Sequence, residues 1–123
     1  MHNISDVCLN ISYAEGFGLT TLESMQVGNP IITTVTGGLT SQVIDCKDGT
    51  HNGIPLTPKI KTLSGSKSVH YIYEDYVSVE DTAYALIEMY KMKSEKRKKL
   101  GQKCKKYVER EFNYDNMIKS WDR

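Results

Sequence analysis

The chain has 123 residues, of which 39% are hydrophobic and 25% are charged, as expected of one ordinary globular domain. It contains no run of 18 apolar residues and no basic start followed by an apolar segment, which predicts neither a membrane-spanning helix nor a secretory signal. Its three cysteines lack the CxxC spacing of a zinc site. They predict reduced thiols in a cytoplasmic protein without a bound metal.

The net charge of +1 is the sum of an acidic first part of the chain and a basic last part. Residues 1–90 hold 4 Lys and Arg against 10 Asp and Glu, whereas residues 91–123 hold 12 against 5. The favoured interpretation of the basic run at 91–106 is a solvated helix face. The alternative is contact with an anionic membrane surface, which would make the protein peripheral to a membrane, or with a polyanionic acceptor. Aromatic residues are not interleaved with these charges, so no specific nucleic-acid partner is expected.

The first 35 residues follow the order strand, glycine loop, helix, strand. Val7–Ile11 predicts a short buried strand, and a loop with two glycines follows it. Leu19–Val27 has apolar residues at helical spacing, with Gly28 as its stop signal. The β-branched run Ile31–Val35 gives the strongest strand prediction. This order is typical of a βαβ unit in a parallel sheet that is covered on both faces.

Ligands of parallel sheets bind at the carboxyl ends of the strands. The glycine-containing loops 15–18 and 36–38 each follow a predicted strand, so we expect both at that edge. Gly16 and Gly18 allow a ligand to approach the backbone closely, and the start of the following helix favours an anion such as phosphate. A carboxylate at Glu23, one turn inside the helix, suits the two hydroxyls of a ribose. Together these features predict a nucleotide diphosphate sugar as ligand.

The middle of the chain predicts less regular structure. The segment from Asp45 to Lys67 is rich in turn residues, and Val69–Tyr73 predicts a short strand or hairpin arm. The tyrosines at 71, 73 and 76 are expected to pack a small sheet. A surface for stacking sugars is the less favoured alternative.

The last third predicts helices. Ser78 with Asp81 resembles a capping box and predicts a helix through Tyr90, and a second helix is expected from Ser94 to about Phe112. Asp115 is the predicted cap of a last short helix. The buried stripes are expected at Ala83, Leu86, Ile87 and Tyr90 in the first helix, and at Leu100, Cys104, Tyr107 and Val108 in the second.

Several of these segments together match a known family. They are Glu-Gly-Phe-Gly-Leu at 15–19, Leu-Glu-Ser-Met at 22–25, Gly-Asn-Pro-Ile-Ile-Thr at 28–33 and the pair Gly37-Gly38. The sequence resembles the retaining glycosyltransferases of GT-B fold, family 4 type (glycosyl transferases group 1). Residues 4–56 carry the specific part of the resemblance, 57–77 look like an insertion loop, and 78–123 look like a generic C-terminal helical segment.

The resemblance implies an α/β fold. It would be a partial Rossmann-like parallel sheet with C-terminal helices, equivalent to the second half of a GT-B C-terminal lobe. The whole chain, 1–123, would then be a single nucleotide-sugar-binding half-domain.

The resemblance also implies roles for particular residues. Glu15 looks like the first glutamate of the family's EX7E motif, which lies in the catalytic site and contacts donor-sugar hydroxyls without acting as a nucleophile. Glu23 looks like the second glutamate, which binds the ribose diol. The remaining substrate-binding positions are Gly16, Phe17, Gly18, Leu19, Gly37 and Gly38. Sugar transfer would retain the anomeric configuration and need neither a metal nor another cofactor. The donor phosphate would assist deprotonation of the acceptor.

Two departures from the family pattern have consequences. Ser41 stands where many members have an acidic residue, and the family's acceptor lobe and diphosphate-binding basic pair come before the segment that this chain matches. We therefore expect the chain to work with an N-terminal lobe or partner chain, and to be inactive alone. The alternative function is a non-catalytic nucleotide-binding or assembly module, which completes a partner lobe or forms a homo-oligomer through an exposed sheet edge.

Overall fold

The structure is a computed structural model that describes residues 4–121. Its strands and helices, in chain order, are β1 (Cys8–Asn10), α1 (Leu19–Gln26), β2 (Ile31–Thr34), α2 (Gly37–Val43), β3 (Gly53–Leu56), β4 (Ile60–Ser66), β5 (Val69–Tyr76), α3 (Val79–Lys91), α4 (Ser94–Glu111) and α5 (Tyr114–Trp121).

A three-stranded parallel sheet with the order β1-β2-β3 organises the fold. Ile31 is opposite Cys8 on one side and Gly53 on the other. All four residues of β2 are buried, as expected of a central parallel strand. This arrangement, followed by C-terminal helices, confirms the predicted α/β fold class.

Alternate residues of the sheet face two separate core clusters, because successive side chains of a strand point to opposite faces. Ile31 packs with α1 and α4 residues such as Met25 and Val108. Ile32 packs on the other face with Ala85 and Met89 of α3. Burying each such large side chain stabilises the fold by about 1.5–3 kcal/mol. The two clusters fix the helices on both sides of β2.

The edge strand β1 departs from its prediction. The strand is shorter than Val7–Ile11, and Leu9 and Ile11 are 41% and 44% exposed rather than buried. The helix on that face, α3, packs chiefly against β3 at the far side of the sheet. The expectation that both faces are covered is therefore right for β2 and wrong for β1.

Three elements were not predicted. One is β4, which lies within the turn-rich segment Asp45 to Lys67. The turn-rich segment also contains β3. Pro55 has no backbone N–H group, and β3 tolerates it because β3 is an edge strand with no neighbour on its outer side. Residues 37–43 form α2, whereas the sequence predicted a glycine loop at 36–38 and no helix. Glycines are poor helix formers, but the buried residues of α2 have the helical spacing i, i+3, i+4, namely Leu39, Gln42 and Val43.

The C-terminal helices confirm some predictions and correct others. The Ser78 hydroxyl accepts a hydrogen bond from the Asp81 amide at 3.0 Å, so the predicted cap is correct. However, α3 buries Ala85 and Met89, while Tyr90 is 85% exposed and Ala83, Leu86 and Ile87 are also exposed. Helix α3 has apolar residues on two faces. Only the face that contains Ala85 and Met89 packs against Ile32 and Leu56.

The predicted stripe of α4 is correct, because Cys104, Tyr107 and Val108 are buried. At α5 the cap is Asn113 rather than Asp115, since the Asn113 carbonyl oxygen Oδ1 accepts from the Asn116 amide at 2.8 Å. None of the helices in the described part of the chain is both long and apolar enough to cross a membrane.

The three cysteines are free thiols. Cys104 donates to the Asn52 carbonyl oxygen at 2.7 Å, and burial raises the pKa of its thiol to about 12. Burial also raises the pKa of the Cys8 thiol. Both therefore belong to the core rather than to a reactive site.

Candidate functional site

The two glycine loops meet at the carboxyl edge of the sheet, as their positions after β1 and β2 predict. The Gly38 amide donates to the Glu15 carbonyl oxygen at 3.2 Å. A Cβ on Gly37 would overlap that same carbonyl oxygen, and a Cβ on Gly38 would lie 2.6 Å from the Cα of Phe17. The absence of a side chain at both positions is what allows the loops to pack together.

Gln42 of α2 holds the first glycine loop in place. Its side-chain amide Nε2 donates to the carbonyl oxygens of Phe17 at 2.6 Å and of Gly18 at 3.2 Å. Gln42 is fully buried, so these hydrogen bonds are shielded from water and are electrostatically stronger than exposed ones. The sequence analysis missed this residue. Its spacing from Leu39 on the buried face of α2 is the signal that would have found it.

The start of α1 is open toward this edge. Gly18 precedes it with a left-handed φ of 86°, no side chain caps the helix, and its first turn contains no acidic residue. The helical ladder begins with the Leu22 amide, which donates to the Gly18 carbonyl oxygen at 3.1 Å. The preceding amides from Leu19 onward are left for another acceptor, and Leu19 itself is 66% exposed. Such a helix start is suited to an anion.

The two glutamates lie on either side of that helix start. Glu15 is half-buried in the loop before α1, and Glu23 is exposed on the second turn of the helix. The opposite face of α1, including Leu22 and Met25, is buried. Leu19 and Glu23 are four residues apart and therefore share the exposed face.

Three further positions have defined surroundings. The Phe17 ring contacts the edge of Phe112, with ring centroids 5.8 Å apart, so its side chain turns toward α4. Gly16 remains open, because nothing lies within 4 Å of where its Cβ would be. Ser41, which stands at the family's acidic position, donates to the Gly38 carbonyl oxygen at 2.9 Å.

The segment 57–77 contains an antiparallel hairpin, β4 with β5, and β5 includes the strand or hairpin arm predicted at Val69–Tyr73. The base of the hairpin is joined to both glycine loops. The Asp75 amide donates to the Tyr13 carbonyl oxygen at 2.7 Å, and the Thr36 hydroxyl donates to Asp75 Oδ2 at 2.8 Å. The Tyr13 and Tyr76 rings stack with centroids 4.2 Å apart. The hairpin is thus part of the same edge.

Charged residues pair at the opposite, amino edge of the sheet. Arg110 of α4 donates to Asp45 Oδ2 at 2.6 Å, which lowers the pKa of the Asp45 carboxyl below its ordinary value. Lys47 lies 2.8 Å from Glu111 and, together with Arg110, lowers the pKa of Glu111. These pairs attach the loop before β3 to α4. Within residues 4–121, no three His, Cys, Asp or Glu side chains are grouped as a metal site.

Comparison with known proteins decides the family. The family described as Glycosyl transferases group 1 matches residues 1–107. This chain belongs to that family. The match includes both glycine loops, Glu15 and Glu23.

Curated relatives of this group 1 glycosyltransferase chain are similar over a shorter stretch. Trehalose synthase of Pyrococcus horikoshii is 47% identical over 45 residues, which are 37% of this chain and 11% of that protein. Trehalose synthases of Thermococcus litoralis and Pyrococcus furiosus are each 44% identical over 45 residues, with the same coverage. The match therefore spans about a tenth of the length of these relatives.

Proposed function

We propose that this chain carries the donor site of a retaining, family 4-type glycosyltransferase, which binds a nucleotide diphosphate sugar and transfers a hexosyl group to a hydroxyl acceptor. The observation that carries the proposal is the uncapped start of α1, held open beside Gly37 and Gly38 by the buried Gln42 side chain. A helix start with free amides, next to backbone that lacks side chains, is a favourable place for a diphosphate.

The two glutamates complete the donor site. In this proposal Glu23 accepts hydrogen bonds from both ribose hydroxyls, since one carboxylate has two oxygens to offer. Glu15 contacts hydroxyls of the transferred sugar. The amides of residues 16–19 bind the diphosphate and the sugar, and Gly37 and Gly38 form the second wall. This assignment treats Glu15-to-Glu23 as the EX7E motif.

The reaction requires no protein nucleophile. The bond from the sugar's anomeric carbon to the leaving phosphate oxygen breaks, and the acceptor oxygen forms its bond on the same face. The acceptor proton passes to the departing phosphate oxygen, and the nucleoside diphosphate leaves. The chain's contribution is to orient the donor and to stabilise the charge that develops on the phosphate. No metal ion or other cofactor is required in this scheme.

Calorimetric titration tests the donor site directly. UDP, GDP and ADP, each with its sugar conjugate, are titrated into the chain in the presence of EDTA. We expect one base to be preferred and Glu23→Ala to weaken its binding about tenfold or more, because hydrogen bonds to a charged group are lost. Glu109→Ala, an exposed helix glutamate outside the glycine loops, is the matched control and should bind normally. Equal affinity of the two variants would contradict the proposal.

A second function is favoured by the exposed apolar surface of the edge strand. Leu9 on β1, Ile11 directly after it, and Leu86 and Ile87 on α3 are all exposed. The chain therefore also fits an assembly module that pairs with an N-terminal lobe, a partner chain or a second copy of itself. Light scattering distinguishes a monomer from an assembly. An assembly module would tolerate Glu23→Ala, whereas a donor site would not. Sugar transfer by the 123-residue chain alone would contradict the expectation that it is inactive in isolation.

A further inference from the structure

The outward side of α4 carries a dense array of positive charge. Residues 91–106 contain nine Lys and Arg and one acidic residue, Glu95. The opposite side of the helix is fixed in the core, where Cys104, Tyr107 and Val108 are buried. Five lysines of α4 are exposed, and we call them the basic face: Lys96, Lys98, Lys99, Lys105 and Lys106. Because the core holds α4, the basic face is a fixed array of charges on a folded surface.

The charges of the basic face are not used within the chain, whereas other basic side chains have partners. Arg97 donates to the Met92 carbonyl oxygen at 2.5 Å, and Lys103 donates to the His51 carbonyl oxygen at 2.9 Å. Four further basic residues form ion pairs, namely Lys47, Lys59, Lys61 and Arg110. Among residues 4–121, no carboxylate lies within ion-pair distance of a basic-face lysine. These lysines are therefore free to bind an external anion.

The basic face lies away from the proposed donor site. Gly101 of α4 packs against the Gly28 carbonyl in the turn before β2, and Lys103 binds the loop before β3. Both contacts are at the amino edge of the sheet, whereas the glycine loops are at its carboxyl edge. A partner on the basic face would leave the donor cleft open, so an inference about this face does not depend on the donor site.

The spacing of the lysines indicates an extended anionic partner. Lys98 and Lys105 are seven residues apart, as are Lys99 and Lys106, so each pair is separated by two helical turns, or about 10 Å. Charges spread in this way over a convex surface suit many separate phosphates better than one small anion. Gln102, which is exposed between them, provides no ring for the base stacking that single-stranded nucleic acid requires. A cluster of four to eight basic residues on a helix is instead typical of contact with anionic lipids.

An exposed tyrosine beside the basic face also favours a lipid surface. Tyr90, in the last turn of α3, is 85% exposed, and its neighbours Lys91 and Lys93 are exposed as well. Its carbonyl oxygen accepts from a guanidinium nitrogen of Arg97 at 3.3 Å, which places it next to the first turns of α4. Tyrosine combines an apolar ring with a polar hydroxyl and is enriched at the headgroup level of membranes.

We propose that the basic face docks this chain on an anionic lipid bilayer, with its lysines on headgroup phosphates and Tyr90 at the same level. The sequence favoured a solvated helix face. The lack of ion-pair partners on a helix that the core holds in place favours the membrane surface instead. The apolar side of α4 stays in the core, so the contact is peripheral and electrostatic. Such a contact is reversible and weakens as salt screens the charges.

Co-sedimentation with vesicles tests the docking surface. One set contains phosphatidylcholine alone, and the other contains phosphatidylcholine and phosphatidylglycerol at about seven to three. We expect binding to the anionic vesicles only, and at least about a tenfold loss of affinity between about 50 and 300 mM salt. Lys99→Gln combined with Lys106→Gln should weaken binding about 25-fold, because each lysine near an anionic surface contributes about fivefold. Lys67→Gln combined with Lys119→Gln removes the same charge from the hairpin turn and α5, and should weaken binding less than about twofold.

Three results would overturn the proposal. Equal losses in the two double variants would show that net charge, rather than the basic face, drives the attraction. Equal binding to both kinds of vesicle would show that anionic lipid is not recognised. Tighter binding of a DNA duplex than of the anionic vesicles, in the same buffer, would assign the face to nucleic acid.

Two measurements complete the test. The urea midpoint of each variant should match that of the parent, because the substituted lysines are exposed, so a loss of vesicle binding is not a loss of folding. Tyr90→Ser should weaken vesicle binding about threefold or more, and unchanged binding would refute the part assigned to Tyr90. Nucleotide affinity, measured by calorimetry, should be the same in every variant, and a parallel loss of it would refute the separation of the basic face from the donor site.

Discussion

The two ends of the parallel sheet are held together by different kinds of contact. At the amino end, the loop between α2 and β3 is attached to α4 by charged groups: Arg110 binds Asp45, and Lys103 donates to Thr50 Oγ1 at 2.7 Å. At the carboxyl end, the loops are joined mainly by neutral backbone and amide contacts, including Gly38 to Glu15 and Gln42 to Phe17.

This difference separates an end that is held by charge pairs from the end at which we propose the donor site. At the amino end Arg110 pairs with Asp45 and Lys47 pairs with Glu111, so these four charges are used within the chain. At the carboxyl end the start of α1 has no capping side chain, so its first amides are left without a side-chain acceptor. A rigid backbone with free polar groups is the arrangement that a binding site requires. Four substitutions test whether stability and binding divide between the ends in this way.

Gly37→Ala should produce the largest loss of stability. The substitution places a Cβ on the Glu15 carbonyl at a residue whose φ is already left-handed, 46°, so we expect about 2–4 kcal/mol. Urea unfolding monitored by circular dichroism measures it. Gly49→Ala is the control, because Gly49 has a φ of 70° but nothing within 4 Å, and it should lose only about 1–2 kcal/mol. Equal losses would show that the loops do not need close packing.

Gln42→Ala should come next, at about 1–3 kcal/mol, because the carbonyls of Phe17 and Gly18 lose their buried donor. The freed loop should also bind the preferred nucleotide less tightly. Urea unfolding and calorimetry on the same preparation measure both effects. Lost stability with unaltered nucleotide affinity would mean that the loop's rigidity does not serve binding.

At the amino end, Arg110→Gln should reduce stability in a pH-dependent way. The pKa of Asp45 is lowered in the folded chain, so its pairing with Arg110 contributes stability above the unfolded pKa of about 4 and loses that contribution as the pH falls through the lower folded value. The difference in unfolding free energy between parent and variant should therefore be constant near neutral pH and shrink in acid. A difference that grows below pH 4 would contradict this account. Nucleotide affinity should not change.

Glu23→Ala should have the smallest effect on stability, less than about 1 kcal/mol, because the side chain is exposed on α1. Its effect on nucleotide affinity should nevertheless be the largest of the four. Thermal unfolding with and without nucleotide measures both, since a ligand stabilises only the protein that binds it. If nucleotide stabilised the Glu23→Ala protein as much as the parent, the two ends of the sheet would not differ in nucleotide binding.

The candidate site could be located from the sequence, but its construction could not. Glycines after two strands are a local signal, and the rule that parallel strands end at one edge brings loops 15–18 and 36–38 together. Gln42 and Asp75 gave no such signal. A buried glutamine and a buried aspartate are recognised only when the carbonyl or hydroxyl that each one binds is known, and those partners are 24–25 and 39 residues away.

The sequence by itself determined the βαβ order, the family, the Ser78 cap and the buried stripe of α4, because each depends on residues close together in the chain. Tertiary structure alone decided that α3 buries Ala85 and Met89, that Leu9 is exposed, and that residues 53–56 are a strand. In these three cases the local pattern allows two outcomes. The choice depends on which distant surface is present to cover the side chains or pair with the backbone.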